Sequence, residues 1–180
     1  MAAELALGSH PDRTLAGFTE PELLLPRLAG VNAAEIIREL SKAIQRAGLV
    51  VAGESFCAAV LKREALANTN LEPGLAFPHA RVEGLSRLAF AMGRCVAPVA
   101  WGRGTGGSVR LVFLLAVPEG EAMRYLQLLS ALARLGGDAR LMDRLLAASD
   151  AQEMYEVFTL VNVEQKKARQ PEVERAGCLK

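Results

Sequence analysis

The chain has 180 residues, 51% of them hydrophobic, which indicates one globular domain with or without tails and excludes a disordered chain. Its 21 basic and 20 acidic residues leave a net charge of +1, so there is no overall basic surface for nucleic acid. The longest notable apolar run, Leu111 to Val117, is too short to span a membrane. The N-terminus lacks a secretory pattern and the three cysteines (Cys57, Cys95 and Cys178) are scattered, so we expect reduced thiols in a cytoplasmic protein.

The composition along the chain predicts three segments. Residues 1–18 contain glycine and proline without a sustained period and are expected to form a flexible N-terminal arm. Residues 19–163 form the predicted domain, and residues 164–180 are a polar tail that we expect to be disordered. The domain opens with a short apolar turn at 22–25 and a short edge strand at 27–31.

Two helices are predicted next. Asn32 and Glu35 form a capping box in front of an amphipathic helix that Gly48 ends. A second helical stretch covers residues 54–67.

After the second helix, the spacing of the apolar residues changes from a helical period to that of strands. Residues 71–80 contain two prolines and a glycine, which predicts a loop with a short extended piece. Residues 88–94 and 109–117 are predicted strands, and the second is apolar at nearly every position, which suits a strand covered on both faces.

Three helical stretches complete the domain, over residues 123–135, over 139–148, and in a last helix capped by Ser149 with Gln152. Along the chain, predicted helices come both before and after the predicted strands. These helices must cover the faces of the sheet that the strands form. We therefore predict an α/β (α+β) fold, with a central mixed β-sheet flanked by helices on both faces.

Two common kinds of site do not fit this sequence. Gly102, Gly104 and Gly107 have the spacing of a dinucleotide fingerprint, but a strand follows them where the fingerprint requires a helix. The chain has only two histidines, His10 and His79, and no paired cysteines, so we predict no metal site and no cofactor.

His79 is the main candidate for chemistry. Pro78 fixes its own φ and favours extended geometry at Phe77, so the histidine leaves a short strand on a stiff and exposed turn. Ala80 leaves room beside the ring and Arg81 brings a positive charge. Imidazole, with an ordinary pKa of about 6.5, can act as a neutral nucleophile near neutral pH. The plain alternative is a surface histidine without a task.

Arg63, Glu64 and Tyr125 also have plain interpretations. Taken alone, the run of charged residues that ends in Glu64 is typical of a solvated helix end, where a cation complements the helix dipole. Tyr125 begins a helix, where a half-buried packing role is the ordinary one.

Several motifs in the correct order resemble the fructose/mannitol-type IIA domain of the bacterial phosphoenolpyruvate-dependent phosphotransferase system, a type that includes the nitrogen-regulatory IIA proteins. The similarity extends from about Leu23 to Val161. Its motifs are Arg63-Glu64-Ala65-Leu66, Thr69, Ala76-Phe77-Pro78-His79-Ala80, the apolar strand up to Pro118, and Leu126-Gln127-Leu128-Leu129.

The resemblance implies a phosphohistidine carrier, a transferase component of the phosphotransferase system. His79 would accept a phosphoryl group on Nε2 from the phosphocarrier protein HPr or a related protein. It would pass the group to a IIB domain or hold it as a signal to regulatory target proteins. Arg63 would orient the phosphoryl oxygens, backbone N–H groups around Thr69 and Ala80 are further candidate donors, and Arg81 is a candidate partner contact.

The sequence departs from the family pattern at the site. Tyr125 stands where the family commonly has a second histidine, and Asn68 replaces the serine of the Gly-Ser-Thr segment. Because a phenol can donate a hydrogen bond but is not a cation at neutral pH, we expect slower transfer or a regulatory emphasis. We therefore expect a stand-alone nitrogen-type regulator, since 180 residues leave no room for IIB or IIC segments.

Two alternatives stay open at this point. One is a binding module of the same fold with impaired transfer, and the other is a sugar-specific IIA subunit of a split permease. The sequence names neither the sugar, nor the downstream partner, nor the oligomeric state.

Overall fold

A computed structural model describes residues 13–67, 69–71, 74–102 and 108–164 of the chain. These residues form six strands, β1 (Leu24–Leu28), β2 (Asn70–Leu71), β3 (Leu75–Ala76), β4 (His79–Val82), β5 (Ala89–Ala100) and β6 (Ser108–Pro118). They also form five α-helices, α1 (Ala33–Arg46), α2 (Gly53–Leu66), α3 (Ala122–Gly137), α4 (Ala139–Ala147) and α5 (Ala151–Thr159).

The strands make one mixed sheet with β6 near its middle. β5 runs antiparallel along one edge of β6 and pairs on its far side with the parallel edge strand β1. Along the other edge of β6, β3 and then β4 run parallel to it, one after the other, and β2 pairs antiparallel with β3. The predicted mixed sheet is confirmed.

β6 shows why the predicted strand is apolar throughout. Its odd-numbered residues from Leu111 to Val117 pack in a cluster with α3, α4 and α5. Its even-numbered residues from Val112 to Ala116 pack in a second cluster with α1 and α2. Because alternate side chains of a strand point to opposite faces, a strand covered on both faces needs apolar residues at every position. The predicted helices on both faces are confirmed.

The helix ends agree with the sequence at α1 and differ at α5. The Asn32 side chain accepts the Glu35 N–H at 3.0 Å, as the capping box predicts, and Gly48 has a φ of 71° that suits glycine. At α5 the predicted Ser149 and Gln152 pair is wrong. The cap is Asp150, which accepts the Glu153 N–H at 2.9 Å, while the Glu153 carboxylate accepts the Ser149 N–H.

The domain begins earlier than predicted. Residues 15–18 and 21–23 form short 3-10 turns, and Leu15 and Phe18 are buried in the cluster that contains α3, α4 and α5. The part of the predicted arm from residue 13 to 18 is therefore folded, because these apolar side chains complete that core. The predicted arm over residues 1–12, the tail over residues 165–180 and the glycine-rich segment at residues 103–107 lie outside the described residues.

The loop predicted at residues 71–80 contains the end of β2, the short strand β3 and the start of β4. The predicted strand at 27–31 is the edge strand β1, which lies three residues earlier. No α-helix in the described residues has the length and apolar character needed to cross a bilayer.

Candidate functional site

His79 is the first residue of β4 and is partly buried. It lies opposite Leu115 of β6, and its neighbours Phe77 and Pro78 are buried, with the Phe77 ring stacked on Phe113 at 5.4 Å between centroids. The histidine therefore starts a strand that is anchored by its pairing with β6 and by the buried residues before it, rather than standing on the exposed turn that the sequence suggests. This anchoring fixes the backbone on which the imidazole is mounted.

The imidazole has one defined hydrogen bond. Nδ1 lies 3.0 Å from the carbonyl oxygen of Phe77. A carbonyl oxygen only accepts, so Nδ1 must carry the proton and donate. In the neutral ring the lone pair then lies on Nε2, which has no hydrogen-bond partner among the described residues. The ring is therefore held in the tautomer in which Nε2 is the nucleophile.

Tyr125 lies beside this ring. The two ring centroids are 5.6 Å apart with a tilt of 46°, and Tyr125 is half-buried against the core of the α3 face. Burial raises the pKa of the Tyr125 phenol above its ordinary value of 10.0, while the charges of Arg63 and Arg81 act in the opposite direction. The phenol is thus a neutral O–H donor throughout the neutral range.

Two arginines supply positive charge at the same place. Both Arg63 in the last turn of α2 and Arg81 on β4 lie close enough to Tyr125 to lower its pKa. Arg81 is exposed, and within the described residues Arg63 makes a single long side-chain hydrogen bond, 3.4 Å to the carbonyl oxygen of Ala67. Most donors of the Arg63 guanidinium therefore have no acceptor in the described part of the chain and can bind an anion. The structure brings His79, Tyr125 and both arginines together.

Thr69 lies near the site, but its donors are already used. Its hydroxyl donates to Oε2 of Glu64 at 2.6 Å and its backbone N–H donates to Oε1 of Glu64 at 2.9 Å. Neither group is free to contact a phosphoryl oxygen in this conformation. Thr69 instead accepts the N–H of Phe77 on its carbonyl oxygen at 3.0 Å, which places it behind His79 as a support.

The backbone N–H of Ala80 is committed to the sheet. The Leu115 N–H donates to the Pro78 carbonyl at 2.9 Å, and the register pairs His79 with Leu115 and Ala80 with Ala116. In a parallel ladder with this register the Ala80 N–H points at β6. The predicted contact between this N–H and a phosphoryl group conflicts with that pairing. Ala80 contributes a small, buried side chain in the core of the α1 and α2 face.

Glu64 is the residue that sequence reasoning missed. The run of charged residues suggested a solvated helix end, yet Glu64 is 9% exposed and its carboxylate accepts hydrogen bonds from Thr69 and from Nε1 of Trp101. Its position directly after Arg63 in the motif was the available signal, but no periodicity marked it as buried. Within the described residues no three His, Cys, Asp or Glu side chains cluster as a metal site would require.

Comparison with known protein families gives one match, over residues 18–160. The matching family is described as "Phosphoenolpyruvate-dependent sugar phosphotransferase system, EIIA 2".

Individual relatives agree with that match. A nitrogen regulatory protein of Bradyrhizobium diazoefficiens is 33% identical over 147 residues, which cover 81% of this chain and 95% of that protein. The 2-O-alpha-mannosyl-D-glycerate-specific EIIABC component of Escherichia coli K12 is 33% identical over 143 residues, which cover 78% of this chain and 22% of that larger protein.

The fold has solved counterparts. The crystal structure of the nitrogen regulatory protein IIA-Ntr from Neisseria meningitidis superposes with a TM-score of 0.73, at 24% identity, covering 80% of this chain and 98% of that one.

Proposed function

We propose that this chain, which belongs to the EIIA 2 family of the phosphoenolpyruvate-dependent sugar phosphotransferase system, carries a phosphoryl group on Nε2 of His79 as a regulatory IIA protein of the nitrogen type. The observation that carries the proposal is the 3.0 Å contact between Nδ1 and the Phe77 carbonyl oxygen. It leaves the Nε2 lone pair of the ring free beside Tyr125, whose phenol is near enough to Arg63 and Arg81 for both charges to lower its pKa.

The transfer step follows from this arrangement. The donor is an HPr-type protein that carries phosphohistidine. Nε2 of neutral His79 attacks the phosphorus, the Nε2–P bond forms, and the P–N bond of the donor breaks with its electron pair returning to the donor imidazole. His79 keeps the proton on Nδ1, so its ring gains positive character. The Phe77 carbonyl oxygen stabilises that charge through its hydrogen bond.

The surrounding groups support the phosphoryl oxygens. Phosphoryl transfer depends mainly on positioning and on charge stabilisation of the equatorial oxygens. Arg63 supplies a planar, permanently charged fork with free donors, and Tyr125 supplies a neutral O–H. Arg81 is exposed on β4 and is available to contact the donor or the acceptor protein. No metal or cofactor is required for this step, since the donor brings its phosphoryl group on nitrogen.

The partners follow from the same chemistry. The chain would receive the group from HPr or a nitrogen-branch relative and would pass it to a IIB domain or signal to regulatory targets. The regulatory role is favoured by the nitrogen regulatory protein that matches over nearly its whole length. The proposal places the chain in the cytoplasm, where such donors act, and the described cysteines Cys57 and Cys95 are free.

A reconstituted relay tests the proposal. The purified chain is incubated with phosphoenolpyruvate, enzyme I and an HPr-type donor, and its intact mass is measured before and after mild acid. We expect one acid-labile phosphoryl group on the wild type and none on His79→Ala. His10→Ala, which removes the other histidine, is the control and should be labelled as the wild type is. Labelling of His79→Ala, or no labelling with any cognate donor, would overturn the proposal.

Two second candidates each have a specific observation in their favour. Tyr125 beside His79 favours a binding module with impaired transfer. Such a module would retain the same partners in pull-downs with His79→Ala, whereas a phosphorylation-dependent regulator would not.

The equally similar EIIABC component favours a sugar-specific IIA subunit. That subunit would transfer its phosphoryl group to the purified IIB domain of a sugar permease as its main reaction, whereas a regulator would transfer it to that domain slowly or hold it as a signal.

A further inference from the structure

A buried carboxylate lies directly behind the site. Glu64, in the last turn of α2, is 9% exposed and accepts three hydrogen bonds. Oε1 accepts the backbone N–H of Thr69 at 2.9 Å and Nε1 of Trp101 at 2.8 Å, and Oε2 accepts the Thr69 hydroxyl at 2.6 Å. Burying a carboxylate is costly unless its oxygens are paired, so these bonds hold Thr69 and Glu64 as one unit.

The hydrogen bonds continue from this unit to the imidazole. The carbonyl oxygen of Thr69 accepts the N–H of Phe77 at 3.0 Å. The carbonyl oxygen of Phe77 in turn lies 3.0 Å from Nδ1 of His79. The position of the Phe77 carbonyl therefore depends on Thr69, and the position of Thr69 depends on Glu64.

We propose that Glu64 is a positioning residue for His79, acting through Thr69 and Phe77 to aim the imidazole and to keep its proton on Nδ1. This positioning role adds to the proposed function, and its expected effects on the rate of phosphoryl transfer rest on that function. The tautomer of His79, however, can be measured without any donor protein. The competing account is that Glu64 only stabilises the fold by pairing with Trp101.

The chemistry of the side chain predicts graded effects. Both oxygens of Glu64 accept, so Glu64→Ala leaves two donors of Thr69 and one of Trp101 without their partner. Glu64→Gln can keep both bonds at Oε1 if its carbonyl oxygen takes that place, while its amide donates to a reoriented Thr69 hydroxyl. Trp101→Phe removes one donor and leaves both Thr69 bonds. We therefore expect Ala to have the strongest effect, and Gln and Phe to be mild.

Nitrogen-15 NMR of histidine-labelled protein is the first test. The chain has only two histidines, so His79→Ala assigns the signals. In the wild type with a neutral imidazole, Nδ1 of His79 should give the protonated signal and Nε2 the unprotonated one. Glu64→Ala should transfer part of the population to the other tautomer, and Glu64→Gln and Trp101→Phe should stay close to the wild type.

Kinetics give the second readout. Glu64 is buried and does not face a partner, so Glu64→Ala should lower the maximal rate of phosphoryl transfer by about tenfold to 100-fold, while the KM for the donor stays within about twofold. The control is Glu39→Ala, because Glu39 also accepts backbone N–H bonds, from Ala29 and Gly30, on α1 and outside this network. It should change stability but neither the tautomer nor the rate.

Trp101 is the only tryptophan of the chain, so its fluorescence reports whether the Glu64 and Thr69 variants are folded, and circular dichroism reports the same for Trp101→Phe. If Glu64→Ala does not fold, Thr69→Val, which removes the hydroxyl bond to Oε2, takes its place in both measurements and should show the same changes to a smaller degree. A folded Glu64→Ala or Thr69→Val with the wild-type tautomer and rate would overturn the positioning role. A shifted tautomer in a chain whose wild type accepts no phosphoryl group would support the positioning role and reject the proposed function instead.

Discussion

Two arginines lie at the ends of two helices in this molecule, and their surroundings differ. Arg94 of β5 holds the C-terminal end of α4 through bonds to the carbonyl oxygens of Leu146 at 2.6 Å and Ala148 at 2.8 Å, and its Nε donates to Pro26 of β1 at 3.0 Å. Among the described residues Arg63, at the C-terminal end of α2, makes one bond of 3.4 Å. Both cations complement a helix dipole, but Arg94 uses Nε and Nη1 in short bonds to the fold, whereas Arg63 makes only this long bond.

The difference separates a structural arginine from a functional one. Nε and Nη1 of Arg94 donate to carbonyl groups that join β1, β5 and α4, so this arginine contributes to stability. The remaining donors of Arg63, near Tyr125, have no acceptor among the described residues and can bind an anion that arrives from outside. Substitutions at the two positions should therefore act on different properties.

The largest effect is expected from Arg63→Ala. Removal of the guanidinium should lower the rate of phosphoryl transfer to His79 by about 100-fold, because developing charge on the phosphoryl oxygens loses its main donor. The free energy of unfolding should change by less than about 0.5 kcal/mol. Rapid-quench transfer from a phosphorylated donor measures the rate, with the exposed neighbour Lys62→Ala as the control. An equal loss of transfer rate in Arg63→Ala and Lys62→Ala would contradict a specific role for Arg63.

Arg94→Ala should have the opposite profile. Loss of the bonds to Leu146, Ala148 and Pro26 should lower the free energy of unfolding by about 2 kcal/mol, since hydrogen bonds from a charged donor in a part-buried place are replaced by unpaired carbonyl groups. Urea denaturation measures the change, and Arg140→Ala on the exposed side of α4 is the control. The transfer rate of the folded variant should equal that of the wild type. A slower rate would connect Arg94 with the site.

Arg63→Lys keeps the positive charge at this position and removes the planar guanidinium group, so it separates the effect of charge from that of geometry. We expect the transfer rate to fall by about tenfold, between the wild type and Arg63→Ala, because a lysine cannot donate two parallel bonds to one phosphoryl group. The same quench assay measures it. A rate equal to the wild type would mean that charge alone is needed at this position.

The sequence predicts the helices and strands around Arg94 and Arg63. It does not predict which acceptors the donors of each arginine contact. The capping box of Asn32 and the apolar pattern of β6 depend on neighbours in the chain or on a regular period, so they are readable. The bonds of Arg94 join residues more than 50 positions apart, and the pairing of Glu64 with Trp101 spans 37 positions. No local pattern encodes such contacts, which form only when the sheet brings its strands together.

The site shows the same limit. The motif around His79 is local and identifies the candidate nucleophile, and the approach of Tyr125 is implied by the resemblance. The resemblance makes the backbone N–H groups around Thr69 and Ala80 candidate donors to the phosphoryl group. The fold directs those groups to Glu64 and to β6 instead.

The smallest effect is expected at Tyr125, the neighbour of Arg63. Tyr125→Phe removes one neutral O–H donor and should slow transfer by about fivefold. Because burial raises the pKa of the phenol, its contribution is fully present below the ordinary value of 10.0 and is lost only as the pH rises through the raised pKa. Rate profiles between about pH 6 and 9 should therefore have the same shape for Tyr and Phe, whereas Tyr125→His, with an ordinary pKa of about 6.5, should change the shape. A Phe variant with an altered profile would contradict this role.

The most direct measurement is the position of the phosphorus in the phosphorylated chain, obtained from phosphorus–nitrogen couplings in NMR of histidine-labelled protein. The bond between Nδ1 and the Phe77 carbonyl predicts a single phosphoryl group on Nε2 of His79. Phosphorus on Nδ1, on another residue or on no residue after treatment with a competent donor would contradict the account.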